Sequence, residues 1–405
     1  MITLLTLLAC EAPDYGAGPQ VYAPPVPHEG DDWLFSHQRI NRIDIRLDPD
    51  AEEILRAERP LSAPRNEVRG LVEIDGEEVG EVGVRLRGHL GSFRRYDKKP
   101  KWKLDLNEFS GERFHGLEAL SLNNGVQDPS MLREVLAHEA FRAAGLPASR
   151  SGYAQLFVNE RDYGLYVLLE TQDDRWLRRL AEEGVLAYDH GNLYDGSYLH
   201  AGWAPLGLDL GTGRDALFDL EEGTDIDAFD LRQVSTAVSA SMEAGSWDPS
   251  LRTLVDWEEV IPFLVMEQWV GNTDSYRVSP NNYKVYFEPG GAMLLNPWDV
   301  DLSFGGRPAS DPRWREETGG VLAVLCLRDE ACAAAWASTA RDLADAMDAL
   351  SWQQRLDDLA ELSREGADGD PRGAFTPAQR EEDRAAVRHW LGIVGEDLRY
   401  LWRAP

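Results

Sequence analysis

The chain has 405 residues, 43% of them hydrophobic and 28% charged, which suffices for one large domain or two lobes. Its 71 acidic against 41 basic residues leave a formal charge of −30, so nucleic acid is excluded from the expected partners. Lysine occurs only as Lys98, Lys99, Lys101, Lys103 and Lys284. An ammonium is a compact point charge suited to gripping a phosphate oxygen, so both lysine-bearing segments are singled out.

Ile2 to Ala9 is an apolar run too short to span a bilayer, and it ends in Leu7-Leu8-Ala9-Cys10, which looks like a bacterial lipobox cleaved and lipidated at Cys10. A positive region ahead of the run is missing. The expectation is a signal segment over 1–10, a Pro/Gly-rich tether over 11–32 and an extracytoplasmic protein that meets the membrane through a lipid anchor only. The folded part should begin near Trp33. Arg42 to Leu47 alternates like a strand, and Asp48-Pro49 then caps a short helix reaching about Glu58. Leu71 to Arg87 reads as a hairpin turning at Asp75-Gly76.

A basic island runs from Arg85 to Lys103, with Arg85, Arg87, Arg94, Arg95 and four lysines around a single acid. Gly88, Gly91 and Ser92 within it let a backbone approach phosphates closely, and Arg85 and Arg87 are candidate nucleotide contacts. Lys101 to Leu106 is a strand with Lys101, Lys103 and Asp105 on one face and Trp102, Leu104 and Leu106 on the other. A helix is predicted from Pro129 to about Ala144, capped by Asp128 and stopped at Gly145, with Met131, Leu132, Val135, Leu136, Ala140 and Phe141 as its buried stripe. Glu134 and Glu139 lie close to that stripe, and either could turn toward a strand lysine. Gly152 to Val158 and Tyr163 to Leu169 form an antiparallel pair ending at Glu170. This is the element order of a protein-kinase N-lobe, although G-x-G-x-x-G-x-V, V-A-I-K, H-R-D and D-F-G are all absent.

In the second lysine segment, Asp274 and Asn282 precede a hairpin of Tyr283 to Phe287 and Ala292 to Asn296, and Asp299 and Asp301 follow it. Such an arrangement can converge oxygen ligands for Mg²⁺ with a proton-accepting carboxylate. A metal site here should be oxygen-rich, because no Cys/His zinc pattern is present. Cys326 and Cys332 permit a local disulfide if the chain turns back between them; in a regular helix they would point apart. Residues from Thr171 to Ile261 carry no motif, and Arg384 to Trp402 is a clear amphipathic helix.

These segments carry R-L-R-G-x-x-x-S with K-K-P-K-W-K-L, L-R-E-x-L-A with G-L-P-A-x-R, F-V-N with Y-G-L-Y-V-L-L-E, G-N-T-D, N-N-Y, and P-W-D-V-D-L-S-F-G. In this order they resemble the CotH-type atypical protein kinases, a family named after a spore-coat protein, over most of Arg42 to Gly305. The resemblance implies an α+β, bilobal kinase-like fold with an antiparallel-sheet N-lobe (about 33–170) and a mainly helical C-lobe (about 171–405). It implies ATP and Mg²⁺ or Mn²⁺ as cofactors and serine or threonine of a protein substrate as acceptor. Lys103 would contact the ATP phosphates and pair with Glu134 or Glu139, with Lys101 the alternative lysine. Asp274 would orient the acceptor hydroxyl, Asn282 and Asp299 would hold metal with Asp301 beside them, and Glu170 would lie at the hinge by the adenine. The family often has His-Asn where this chain has Asn281-Asn282. Two other classes stand beside the kinase: a pseudokinase acting as a structural or binding lipoprotein, and an enzyme of the same fold transferring AMP.

Overall fold

The computed structural model describes residues 30–403 apart from 61, 63, 90, 197–198, 202–203 and 306–317. Cys10, the signal segment and nearly all of the tether lie outside the described residues. Among the described residues no helix is long and apolar enough to cross a membrane.

Strands β1 (Asn41–Arg46), β2 (Glu67–Ile74), β3 (Glu77–Arg87), β4 (Lys101–Asp105), β5 (Ala119–Asn123), β6 (Ser151–Val158) and β7 (Arg161–Glu170) form one sheet in the order 1-2-3-4-5-7-6. The sheet is not an open antiparallel layer. It closes into a barrel because β1 also pairs with β6, in parallel, from Asn41 opposite Ala154 to Ile45 opposite Val158. Closure removes the edge strands, whose N–H and C=O groups would otherwise lack partners. The interior is filled by alternating side chains such as Val84, Leu86, Trp102, Leu104, Leu120, Leu122, Leu156 and Leu168.

Local chemistry explains several elements. Asp75 and Gly76 both take positive φ, 52° and 84°, as a two-residue hairpin turn matched to strand twist requires. Helix α1 (Pro49–Ala57) starts where Asp48 accepts the Ala51 N–H at 2.7 Å. Helix α2 (Arg133–Ala143) begins four residues later than Pro129. The Asp128 carboxylate does not cap a first turn there; it takes the Ser130 hydroxyl and the Arg133 N–H, while Met131 at φ 61° interrupts the helical path. Strand β5 has no counterpart in the sequence reading, although Leu120 and Leu122 point inward and Ser121 and Asn123 outward.

Beyond β7 come α3 (Asp174–Glu182), β8 (Asn192–Asp195), β9 (Leu199–Ala201), β10 (Ala204–Leu206), β11 (Asp219–Glu222), α4 (Phe229–Ala244), α5 (Leu251–Leu254) and α6 (Trp257–Val270). Then follow β12 (Tyr283–Phe287), β13 (Met293–Pro297), α7 (Val321–Arg328), α8 (Glu330–Asp348), α9 (Trp352–Asp368) and α10 (Pro377–Leu401). A second sheet runs β11-β8-β12-β13, so the motif-free segment supplies half the strands that support the β12–β13 hairpin. Cys326 and Cys332 are bonded across the α7–α8 corner, with Cα atoms 5.0 Å apart. Asp329 makes that corner by accepting the Cys332 N–H, so the cysteines do not share one helix. α10 starts earlier than Arg384, at a capping box between Thr376 and Gln379.

Two large hydrophobic cores result, with a small third cluster around Trp176 between α3 and the β8, β12 and β13 strands. One is the barrel interior. The other joins α2, the outer faces of β6 and β7, the β12–β13 hairpin and the C-terminal helices, and it takes the whole predicted stripe of α2. Lys99 ties the two parts together through a buried ion pair with Asp370, in the turn between α9 and α10. Lys99 lies on the loop before β4. The outward face of β4 and β5 is thereby held against α2 and the segment after β13.

Candidate active site between the barrel and the helices

A cavity of about 580 Å³ opens between these two parts, walled by the outward residues of β3, β4 and β5 on one side and by Asp274, Ser279, Asn281, Asn282, Trp298 and Asp299 on the other. At its base, Lys101 donates to Asp299 Oδ1 at 2.8 Å and to Asp301 Oδ2 at 3.3 Å. Asn123 Nδ2 reaches the same two oxygens at 3.4 Å each. Glu134 of α2 is buried beside them, and its Oε1 has no hydrogen-bond partner among the described residues. One ammonium therefore faces three carboxylates.

The electrostatics follow from that count. Burial drives the Lys101 ammonium toward neutrality, but Asp299, Asp301 and Glu134 outweigh it and hold the proton more firmly than in water. Burial, then the Asp301 and Asp299 charges, push the Glu134 carboxyl well up, with Lys101 opposing. Burial also raises Asp301, to about 7. Asp299 is the exception: burial would raise it, and Lys101 followed by Arg87 keeps it below its ordinary value. Asp299 is also the carboxylate that opens to the cavity, its side chain 34% exposed against 4% for Asp301. It adopts φ 45°, an uncommon conformation for a non-glycine residue of the kind that collects at functional sites.

The opposite wall is built around Asp274. Its Oδ2 accepts from Asn281 Nδ2 and from Asn282 Nδ2, each at 3.0 Å, and its Oδ1 accepts the Ser279 hydroxyl at 3.0 Å. Asn282 sits at φ 54° with its amide nitrogen committed to Asp274, which leaves its Oδ1 as an uncommitted acceptor among the described residues. Glu267 of α6 fixes the loop that carries Asp274 by accepting the Tyr276 N–H at 3.0 Å and the Arg277 N–H at 2.7 Å. Burial pushes that carboxyl up to about 8. Arg133, at the start of α2, donates to Asp383 of α10 at 2.9 Å and to the Ser303 carbonyl, so the Asp299–Asp301 turn is braced from behind.

The remaining residues singled out by sequence fall in different places. Lys103 shares the Lys101 face, but its nearest carboxylate is Asp105 at 3.7 Å and it does not pair with α2. It stands two residues, or one pleat repeat, farther from the Asp299 turn. Arg87 lines the cavity, donates to Ser121 Oγ at 2.7 Å and lies 5.0 Å from the Trp298 ring centre, and Arg85 lines it beside Glu67 at 3.9 Å. Lys284 stacks over Trp298 at 5.2 Å and meets Glu221 at 3.7 Å. Glu139 points away, to Arg355 at 2.7 Å, so the helix glutamate that faces the strand lysines is Glu134. Glu170 is fully buried and saturated by Arg150 and Arg179 at 2.7 to 3.1 Å, rather than open to the cavity at a hinge. Ser121, Asn123, Glu267 and Ser279 were not anticipated. The alternation of leucine with Ser121 and Asn123 was the available signal for the first two.

The sequence model of the family described as CotH kinase protein matches residues 84–372, which takes in both walls of the cavity. The chain belongs to this family. The inner spore coat protein H of Bacillus subtilis (strain 168) is 23% identical over 228 residues, covering 56% of this chain. The match spans 59% of that relative's own length. Within this CotH kinase family member, the matched region begins on β3 and ends just after the Lys99 partner Asp370, so it contains the Lys101 cluster and the Asp274 wall together.

Proposed function

We propose that this CotH family member is a metal-dependent protein kinase that transfers the γ-phosphate of ATP to serine or threonine of a protein, on a bilobal kinase-like scaffold in which the barrel is the N-lobe. The observation that carries the reading is the convergence on one cavity of Lys101, held by Asp299, Asp301 and Glu134, with the Asp274–Asn282 pair opposite. Lys101, rather than Lys103, is then the lysine that meets the nucleotide phosphates, with Arg85 and Arg87 lining the same wall. Asp299 and the free Oδ1 of Asn282 supply hard oxygen ligands of the kind Mg²⁺ or Mn²⁺ takes, whereas Asp301 is spent on Lys101 and Asn123. A bound divalent ion would neutralise charge on the phosphate oxygens.

The chain's own residues do the rest. Lys101 presents a fixed positive charge to phosphate, and the excess carboxylates around it keep it protonated. Asp274, oriented by two amides, accepts the hydrogen bond of an acceptor hydroxyl and is placed to take its proton. The spore-coat relative suits an exported protein, and a lipid anchor at Cys10 suits the same location. Asp299→Ala should remove divalent-dependent ATP binding with the fold retained, as read by calorimetry with and without Mg²⁺. Unchanged metal-dependent affinity would sink the assignment. Mass spectrometry of the acceptor decides the group transferred: about +80 Da marks phosphoryl and about +329 Da adenylyl transfer.

A further inference from the structure

The Asp274 carboxylate already has a hydroxyl on it. Ser279 Oγ donates to Asp274 Oδ1 at 3.0 Å, the oxygen left over once Asn281 and Asn282 have taken Oδ2. An ordinary turn serine would bond back to the carbonyl four residues earlier, yet Ser275 O is 3.5 Å away, the longer contact. Ser279 is half-buried and lies on the cavity wall with Asp299 and Lys101. Its backbone is clamped. A Cβ at Gly207 would stand 2.5 Å from the carbonyls of both Ser279 and Pro280, and one at Gly319 would stand 2.3 Å from the Val278 carbonyl. Before the loop, Tyr276 donates its hydroxyl to Asp209 at 3.1 Å; after it, Tyr283 donates to the Leu208 carbonyl at 2.5 Å. The scaffold therefore delivers one serine hydroxyl to the place where the reading above puts the acceptor.

We propose that Ser279 is a self-modification site, phosphorylated in cis by the chain that carries it, an inference that rests on the kinase reading. The Ser279 Oγ–P bond forms as the bond between the γ-phosphorus and the bridging oxygen of ATP breaks. ADP leaves with that electron pair, and the hydroxyl proton passes to Asp274 Oδ1. The phosphoserine then carries about two negative charges beside the Asp274 carboxylate, so the modification repels a second phosphate and closes the site to an external hydroxyl. Self-modification is thus self-limiting.

The test incubates the full chain with Mg²⁺ and ATP, reads intact mass over time and maps the modified peptide. One phosphoryl group on Ser279 is expected, at a first-order rate constant unchanged over about 100-fold dilution of the protein, as an intramolecular step requires. Ser279→Ala should abolish it, Ser279→Thr should yield phosphothreonine at the same position, and Asp274→Asn should slow it by about 100-fold or more. Phosphate found only elsewhere, a rate that scales with protein concentration, or labelling that survives Ser279→Ala would overturn the inference. A chain that binds Mg²⁺-ATP without labelling Ser279 overturns the inference alone. A chain that fails to bind Mg²⁺-ATP at all overturns the kinase reading with it.

Discussion

Two clusters of buried charge sit at opposite ends of the β5–β7 wall and are built on different arithmetic. Around Glu170, both carboxylate oxygens are filled by Arg150 and Arg179, and Arg150 is filled in turn by Asp31 at 2.8 Å. Burial would raise the Glu170 carboxyl, and the two guanidiniums overcome it. Around Lys101 there are three carboxylates for one ammonium, hydrogen bonds of 2.8 to 3.4 Å, and a glutamate oxygen with no described partner. A saturated cluster has nothing left to offer a ligand and serves the fold. A cluster with surplus carboxylate and an opening to a cavity has charge left to offer, which is what the proposed function asks of it.

The largest effect should come from the saturated side. Glu170→Ala removes the buried carboxylate that Arg150 and Arg179 share and should cost about 3–5 kcal/mol of unfolding free energy. Denaturant titration would read it. A loss below about 1 kcal/mol would erase the distinction between the clusters.

Next, Lys101→Ala should lower phosphoryl transfer by about 10²-fold or more, roughly the effect of removing one preorganised charge from an active site. Steady-state transfer from labelled ATP is the measurement. Wild-type activity in this variant would mean that the surplus carboxylates serve only the fold.

Glu267 sharpens the comparison from a third environment, a buried carboxyl without a cluster. Its folded-state value is raised from 4.5 to about 8 by burial, so across that window the folded chain keeps a proton that the unfolded chain has lost. Stability therefore falls as pH rises from about 4.5 to about 8, with a contribution of at most about 1.4 kcal/mol per pH unit. In Glu267→Gln this contribution should vanish, so the wild type should lose stability relative to the variant from pH 5 to 8, and the difference between their unfolding free energies should change steadily with pH. Parallel curves would show that Glu267 holds no extra proton in the folded state.

The smallest effect is assigned to Lys103→Ala, which should change transfer by less than about tenfold, because its close carboxylate is Asp105 rather than the Asp299 turn. A loss equal to that of Lys101→Ala would move the phosphate contact two residues along the strand.

Much of the molecule could be read from the chain, because the signals involved are local. The turn at Asp75-Gly76, the Asp48 cap, the lysine face of β4, the apolar stripe of α2 and the β12–β13 hairpin all follow from periodicity and capping within a few residues. The family is legible in the same way, since its motifs are short strings. The five residues of β5 lie among loop-forming ones and give only a short strand signal of their own, and the predicted start of α2 falls too early because proline after aspartate suggests a cap that the backbone at Met131 overrides.

Tertiary structure decided everything that depends on which surfaces meet. Lys101 and Lys103 are equivalent by strand period, and only the docking of the Asp299 turn against the β4 end distinguishes them. Glu134 and Glu139 flank the same stripe, five residues and therefore about 140° apart on the helix, so packing of α2 between the barrel and α6 had to choose which one faces the strand. Barrel closure rests on β1 meeting β6, about a hundred residues later, and Glu170 found two arginines that no local pattern announces. Sequence determined the elements, their faces and the set of charged residues available, because those are properties of neighbouring residues. The fold alone determined which charges are paired off and which remain open to a cavity, because that balance is struck between side chains from distant segments brought together by burial.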